Sequence, residues 1–110
     1  MTITDALTTA GQTIYVDIDN TICTTPSTEY SQAEPMADRI LVINSLASHH
    51  TIVYWTARGT VSGIDFRKLT ERQLAEWGVE YDRLLMGKPA FDLLIDDKAF
   101  NSEHIEELAV

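Results

Sequence analysis

Cysteine occurs once in this chain, at Cys23, so no disulfide can close within it. A reducing cytoplasm is the expected setting. Cations are also scarce: 8 Lys and Arg against 17 Asp and Glu leave a formal charge of −9. A surface of that sign repels phosphate backbones, which disfavours nonspecific nucleic-acid binding. It also repels a phosphorylated metabolite unless cations are placed locally. No run approaches the roughly 18 apolar residues of a membrane span. Repeats, basic runs and low-complexity segments are absent. The opening MTITDALTTAG lacks a basic start and an apolar run, so it is read as a poorly ordered tail over 1–11 and not as a secretory signal.

What is there is one domain's worth of chain, 110 residues of which 45% are apolar, enough for a core over 12–110. Thr13–Val16 reads as a strand ending at Asp17. Asn20–Glu34 has no period and is a loop or small excursion. Pro35 suits the first turn of a helix that carries Met36, Ile40, Ile43 and Leu46 to about His49. Thr51–Trp55 is a second strand, buried on both faces by composition. Asp65 is a candidate N-cap for a helix with Phe66, Leu69, Leu74 and Trp77 on one stripe, stopped by Gly78. Arg83–Met86 and Leu93–Asp96 are expected as strands three and four, and Ser102 as the cap of a final helix over His104–Leu108. Strands alternating with helices argue for a parallel sheet layered by helices, with right-handed crossovers. In such sheets the ligand site lies beyond the carboxyl ends of the strands.

The stretch IYVDIDNTICTT, Ile14–Thr25, places Asp17 and Asp19 at the end of an apolar strand. Two carboxylates that close repel, and burial without compensation is costly. Thr56 directly follows strand two, with Arg58 two residues on; Lys88 follows strand three; Asp96 and Asp97 end strand four. Every candidate group falls at a strand C-terminus. Converging carboxylates need a cation, and an all-oxygen donor set selects Mg²⁺ first. Residues i and i+2 share a direction, so Asp17 and Asp19 can face one pocket. One carboxylate can attack phosphorus while the other moves protons. Thr56 offers a hydroxyl and nearby backbone N–H to a phosphate oxygen, and Lys88 a point charge.

In that order and at those strand ends, DIDNTI, TAR, GKP and IDD resemble the four motifs of the haloacid dehalogenase (HAD) superfamily of phosphotransferases, from Ile14 to about Phe100. The resemblance implies Asp17 as nucleophile, Asp19 as general acid/base, Thr56 and Lys88 as the motif-two and motif-three residues, and a Mg²⁺ site made by Asp17, the Asp19 carbonyl, Asp96 and Asp97. It places Asn20, Thr56, Ala57, Arg58 and Lys88 around the substrate. The implied fold is a small Rossmann-like α/β three-layer sandwich with a mostly parallel sheet of about four strands, order 4-1-2-3. There is no room for a cap domain: Thr24–Glu34 can hold only a small flap and Arg58–Asp65 only a loop. In the family this implies a bulky substrate or a cap borrowed from a neighbouring subunit. The wording is similar to small phosphatase-like proteins associated with capsular or surface polysaccharide synthesis, hence to a phosphosugar or related phosphomonoester as substrate.

Two features depart from the family pattern. Asn20 stands where Gly is commonest, though Asn tolerates positive φ. Only eight positions separate Lys88 from Asp96, too few for an intervening helix, so Arg58 or Lys98 are alternative carriers of the motif-three charge. Arg58 is equally a substrate clamp or the partner of a local acid. His49 and His50 are expected to suit a helix C-terminus, Cys23 to be a packed or partly exposed thiol, and Trp55 and Trp77 to be core or interface. Two other functions compete: a nucleic-acid 3′-end phosphatase, and a catalytically idle HAD-fold subunit. No membrane partner is expected. The missing cap and the apolar LLMGKPAF segment motivate a homo-oligomer, dimer or tetramer.

Overall fold

Thr13–Val16 and Thr51–Trp55 are runs of β-branched and aromatic residues, and both form strands. The computed structural model describes Thr9 and residues 11–109. It runs β1 (Thr13–Val16), β2 (Cys23–Thr24), β3 (Glu34–Pro35), α1 (Ala37–Ala47), β4 (Thr51–Trp55), α2 (Arg67–Glu76) and β5 (Arg83–Leu85), with 3-10 segments at Tyr30–Gln32 and Ser102–Leu108. The tail expected over 1–11 lies almost wholly outside the described residues. No described helix is long and apolar enough to cross a membrane.

β1, β4 and β5 form a parallel sheet in the order β1-β4-β5, with Val16 beside Tyr54 and Tyr54 beside Leu84. β2 and β3 make a separate antiparallel pair, Cys23 opposite Pro35. The excursion after the first strand is therefore a small flap. Pro35 belongs to that flap and not to a helix: Met36 N–H donates to the Ile22 carbonyl at 2.8 Å, and α1 begins only at Ala37. α1 buries Ile40, Ile43 and Leu46, one face at helical spacing. Asp65 does cap α2, but from one position further out than expected. Phe66 is the N-cap residue, and the Asp65 carboxylate accepts from Arg67 N–H at 2.9 Å. At the last 3-10 segment the cap is Asn101, whose side chain accepts from Glu103 N–H at 2.9 Å, and not Ser102. His50 is buried and its Nδ1 accepts from Gln12 N–H at 3.2 Å. The ring thus ties the residue before β1 to the turn after α1.

Val16, Ile52, Tyr54 and Leu84 share one sheet face by the strand alternation. They cluster with Ile40, Ile43 and Leu46 of α1, Leu74 of α2 and Ile105. Each such aliphatic side chain contributes about 1.5–3 kcal/mol by leaving water. Both helices thus lie on the same face, and the expected three layers reduce to two among the described residues. The reason is topological. The chain steps β1 to β4 to β5 in one direction, and two right-handed crossovers in one direction put both helices on one side. The opposite face carries Tyr15, which is 51% exposed and meets Trp55 edge-on at 5.8 Å.

A helix on that second face would require the sheet order to reverse, through a fourth strand beside β1. Leu93–Asp96 forms no strand here. The order 4-1-2-3 becomes β1-β4-β5, and the acids expected at the fourth strand's end are left on an exposed loop.

Candidate active site

The C-terminal edge of the sheet gathers the polar residues. Asp17 follows β1, Thr56 and Arg58 follow β4, and Lys88 follows β5. The turn after Asp17 is set by Asn20, whose φ of +64° is the left-handed conformation that Asn tolerates. Its N–H donates to Cys23 O at 2.8 Å, folding the flap back over the edge. Lys88 is placed by backbone bonds: its N–H donates to Thr56 O at 3.0 Å and its carbonyl accepts from Thr60 Oγ1 at 2.7 Å. Its ammonium then stands 3.4 Å from Asp17 Oδ1, against the faces of Trp55 and Phe91 at 5.8 and 5.4 Å from the ring centres. Of the three cations considered for this position, Lys88 reaches Asp17. Thr21 Oγ1 lies 3.4 Å from the other Asp17 oxygen.

Asp19 is held differently. Arg58 Nε and Nη2 donate to its two oxygens, each at 2.9 Å, a fork on a carboxylate. Thr25 Oγ1 adds a 2.6 Å bond to Oδ1. Arg58 itself is 2% exposed, and Nη1 donates to Thr70 Oγ1 at 3.1 Å and Gln73 Oε1 at 2.6 Å. Tyr30 covers its guanidinium at 4.9 Å. Four of the five N–H donors of Arg58 are thus taken up inside the protein, which makes it the partner of a local acid. Gly59, beside it, has φ +82°, and a Cβ there would overlap the Ile64 carbonyl oxygen. Only glycine lets the following loop close this tightly.

Thr56 is buried, and its Oγ1 accepts from Arg58 N–H at 3.1 Å. Its backbone N–H is taken by Leu85 O at 3.1 Å, so the hydroxyl, and not that amide, is left for a ligand. Cys23 is fully buried, with Sγ 3.5 Å from Thr25 Oγ1 and 3.8 Å from Asp19 Oδ1. Burial pushes its thiol above the ordinary value.

Asp96 and Asp97 are not brought to this edge. Both are exposed, and Asp96 is held below the ordinary carboxyl range by a side-chain hydrogen bond with Asp97 and by the Lys98 backbone N–H. Among the described residues no three acidic, His or Cys side chains converge to hold a metal ion. A single copy thus sets two carboxylates, Asp17 and Asp19, at this edge, without the Asp96 and Asp97 carboxylates expected to complete a Mg²⁺ site.

Sequence reasoning missed Thr70, Gln73 and Tyr30 as the supports of Arg58, and Thr25 as that of Asp19. Thr70 and Gln73 left a signal: two polar residues that α2 buries beside Leu74. Thr25 and Tyr30 left none, since they come from an aperiodic flap. A cleft of about 580 Å³ lies between the start of α1 and the last 3-10 segment, lined by Met36, Arg39, Val42 and Ile105, and shares no residue with this edge. A smaller one of about 130 Å³ does adjoin it, lined by Arg58, Gly59, Phe66 and Met86 among others.

No family model matches the chain, and no curated protein does. Among solved structures, a structural-genomics target from Vibrio cholerae is similar over 88% of this chain and 95% of its own, at 26% identity and a TM-score of 0.73. Two structures of the Pnkp1/Rnl/Hen1 RNA repair complex each contain a similar chain. One is matched over 89% of this chain at 17% identity and TM-score 0.54, the other over 92% at 21% and 0.53. This chain spans only 30% and 34% of those two. They share its fold and nothing further follows from them.

Proposed function

We propose that this protein is a phosphomonoester hydrolase of the HAD type, acting through an aspartyl-phosphate on a small substrate such as a phosphosugar. The observation that carries the reading is the Asp17–Lys88 pair, 3.4 Å apart at the C-terminal edge of a parallel sheet, with the Thr56 hydroxyl on the adjoining strand end. A carboxylate, an ammonium and a hydroxyl at one strand edge make a nucleophile with two groups able to hold phosphoryl oxygens. Asp17 attacks phosphorus, the P–O bond to the leaving group breaks, and the leaving oxygen takes a proton from Asp19. Water then attacks the aspartyl phosphate, returns a proton to Asp19 and frees phosphate and the Asp17 carboxylate. Lys88 exchanges its Asp17 contact for the phosphoryl oxygens.

Arg58 and Thr25 engage Asp19 through three hydrogen bonds, and the closed Arg58 fork leaves a proton only the second lone pair of Oδ2. That closed fork is what favours the second reading, a catalytically idle subunit. The two separate cleanly. Purified protein is assayed for phosphate release from a panel of phosphomonoesters, with and without Mg²⁺. The hydrolase reading expects turnover that Asp17→Asn lowers by at least about 10³-fold while leaving the fold intact. Near-normal activity in that variant removes Asp17 as nucleophile, and silence of the wild type across the panel favours the idle subunit. A 3′-phosphorylated oligonucleotide in the panel tests the polymer-end alternative, which the charge of −9 disfavours.

A further inference from the structure

We infer that residues 91–97 of one copy pair with the free edge of β1 in a second copy, and that this exchange carries Asp96 and Asp97 to the partner's Asp17 and Asp19. The transfer of the two acids rests on the proposed function; the pairing itself does not. Three observations meet here. β1 has a strand on one side only, and no described strand covers its outer edge. The segment Phe91–Ile95 holds four apolar side chains in water: Phe91 is 49% exposed, Leu93 75%, Leu94 54% and Ile95 89%. The molecule thus holds a strand-like apolar run that stays in solvent and a strand edge with no strand on it among the described residues. The carboxylates at its end are the ones a single copy fails to bring to the site.

The segment cannot reach its own β1 in the required sense. Lys88 is pinned at the C-terminal edge by Thr56 and Asp17. Leu93 is five residues on from Lys88, a reach of about 17 Å fully extended. A parallel strand has to start at the other end of β1. Lys88 is level with Thr56 and that start with Thr51, so it is about 16 Å back along the sheet and, measured from β4, about 10 Å sideways. The diagonal already exceeds the reach, before any path around the Tyr15–Trp55 face. Parallel neighbours normally need a crossover of about a dozen residues or more. A second copy has no such tether. Pairing parallel to its β1 puts Asp96 and Asp97 at the same strand end as its Asp17. Reciprocal exchange closes as a two-fold dimer in which each site takes residues from both chains. Two copies of charge −9 repel, and Asp96 and Asp97 add two carboxylates to a site where Lys88 and Arg58 already pair with Asp17 and Asp19, so a divalent cation is expected to tighten the association.

Sedimentation of the full chain, with and without millimolar MgCl₂, tests the pairing without reference to activity. Wild type is expected to dimerise, more tightly with Mg²⁺. Leu93→Asp/Ile95→Asp is expected to be monomeric with an unchanged far-ultraviolet circular dichroism spectrum, since a single copy leaves both side chains in solvent. A wild type that stays monomeric, including one that protects 92–96 from hydrogen exchange as a monomer, overturns the exchange. So does a double variant that dimerises like wild type. Mixing Asp17→Asn with Asp96→Asn/Asp97→Asn tests the shared site. Half of the dimers are then mixed, each with one intact site of two, so about a quarter of wild-type activity returns. No recovery in a protein that does dimerise overturns the transfer of the acids. If the wild type hydrolyses nothing, the proposed function fails, while sedimentation still decides the pairing.

Discussion

Arg58 and Ile95 are both charge-or-grease misfits, and the molecule treats them in opposite ways. Arg58 is a cation in the interior, 2% exposed, with Asp19, Thr70 and Gln73 arranged around its guanidinium. Ile95 is an aliphatic side chain in water, 89% exposed. The edge of β1, β4 and β5 has spent its polar residues on internal bonds. The 91–97 loop has not buried its apolar residues, and among the described residues Asp96 bonds only to its neighbours Asp97 and Lys98. A buried charge is tolerable when a counter-charge and hydrogen-bond acceptors surround it, as four bonds surround Arg58, because the desolvation cost is otherwise uncompensated. An exposed Leu or Ile costs little to a single copy. The first region therefore describes a finished structure, and the second an unfinished one that the dimer above completes.

The comparison can be broken hardest at Arg58. Arg58→Met strands Asp19 among partners built for an ion pair, and is expected to cost about 3–5 kcal/mol in urea unfolding. A loss below about 1 kcal/mol would show that the network is not a unit. The next effect concerns Tyr54, whose buried hydroxyl has no hydrogen-bond partner among the described residues. Tyr54→Phe removes that defect and is expected to stabilise the fold by about 1 kcal/mol; a destabilised variant would reveal a bound water. The same burial pushes the Tyr54 phenol and the Cys23 thiol upward from ordinary values of 10.0 and 9.0. Both hold their protons in the folded chain at pH values where the unfolded chain releases them. Their contribution is whole below about pH 9 and is lost as pH rises, so unfolding free energy should fall on the alkaline side. Tyr54→Phe should flatten that fall. Smallest of all is Leu93→Ser, measured at dilutions where the chain is monomeric: a change within about 0.5 kcal/mol is expected. A larger loss would mean the loop packs within its own copy.

Much of the edge was legible because it is local. The strand composition of Thr13–Val16 and Thr51–Trp55 matched the observed strands, and their C-terminal ends fixed where Asp17 and Thr56 stand. Helix ends slipped by a residue or two because the caps were chosen by hydrogen bonds: Met36 to Ile22, and Asn101 ahead of Ser102. The role of Arg58 was not legible. Two residues after Thr56 it is as well placed for a ligand as for Asp19, and only the packing of α2 and the flap turned it inward. The fourth strand failed for a reason the sequence contained, since a connection of four residues after Lys88 cannot cross a sheet.

The sequence by itself determined the three strands of the parallel sheet, the order of the acids and bases along the chain, and the strand ends that Asp17, Thr56 and Lys88 follow. These follow from side-chain period and from neighbours a few residues apart. Tertiary structure alone decided which charges pair: Lys88 with Asp17, and Arg58 with Asp19 across 39 positions. It also decided that both helices share one face and that Asp96 and Asp97 stand apart from the edge. Those outcomes depend on crossover hand, connection length and the cost of burying a charge, which act between segments far apart in the chain.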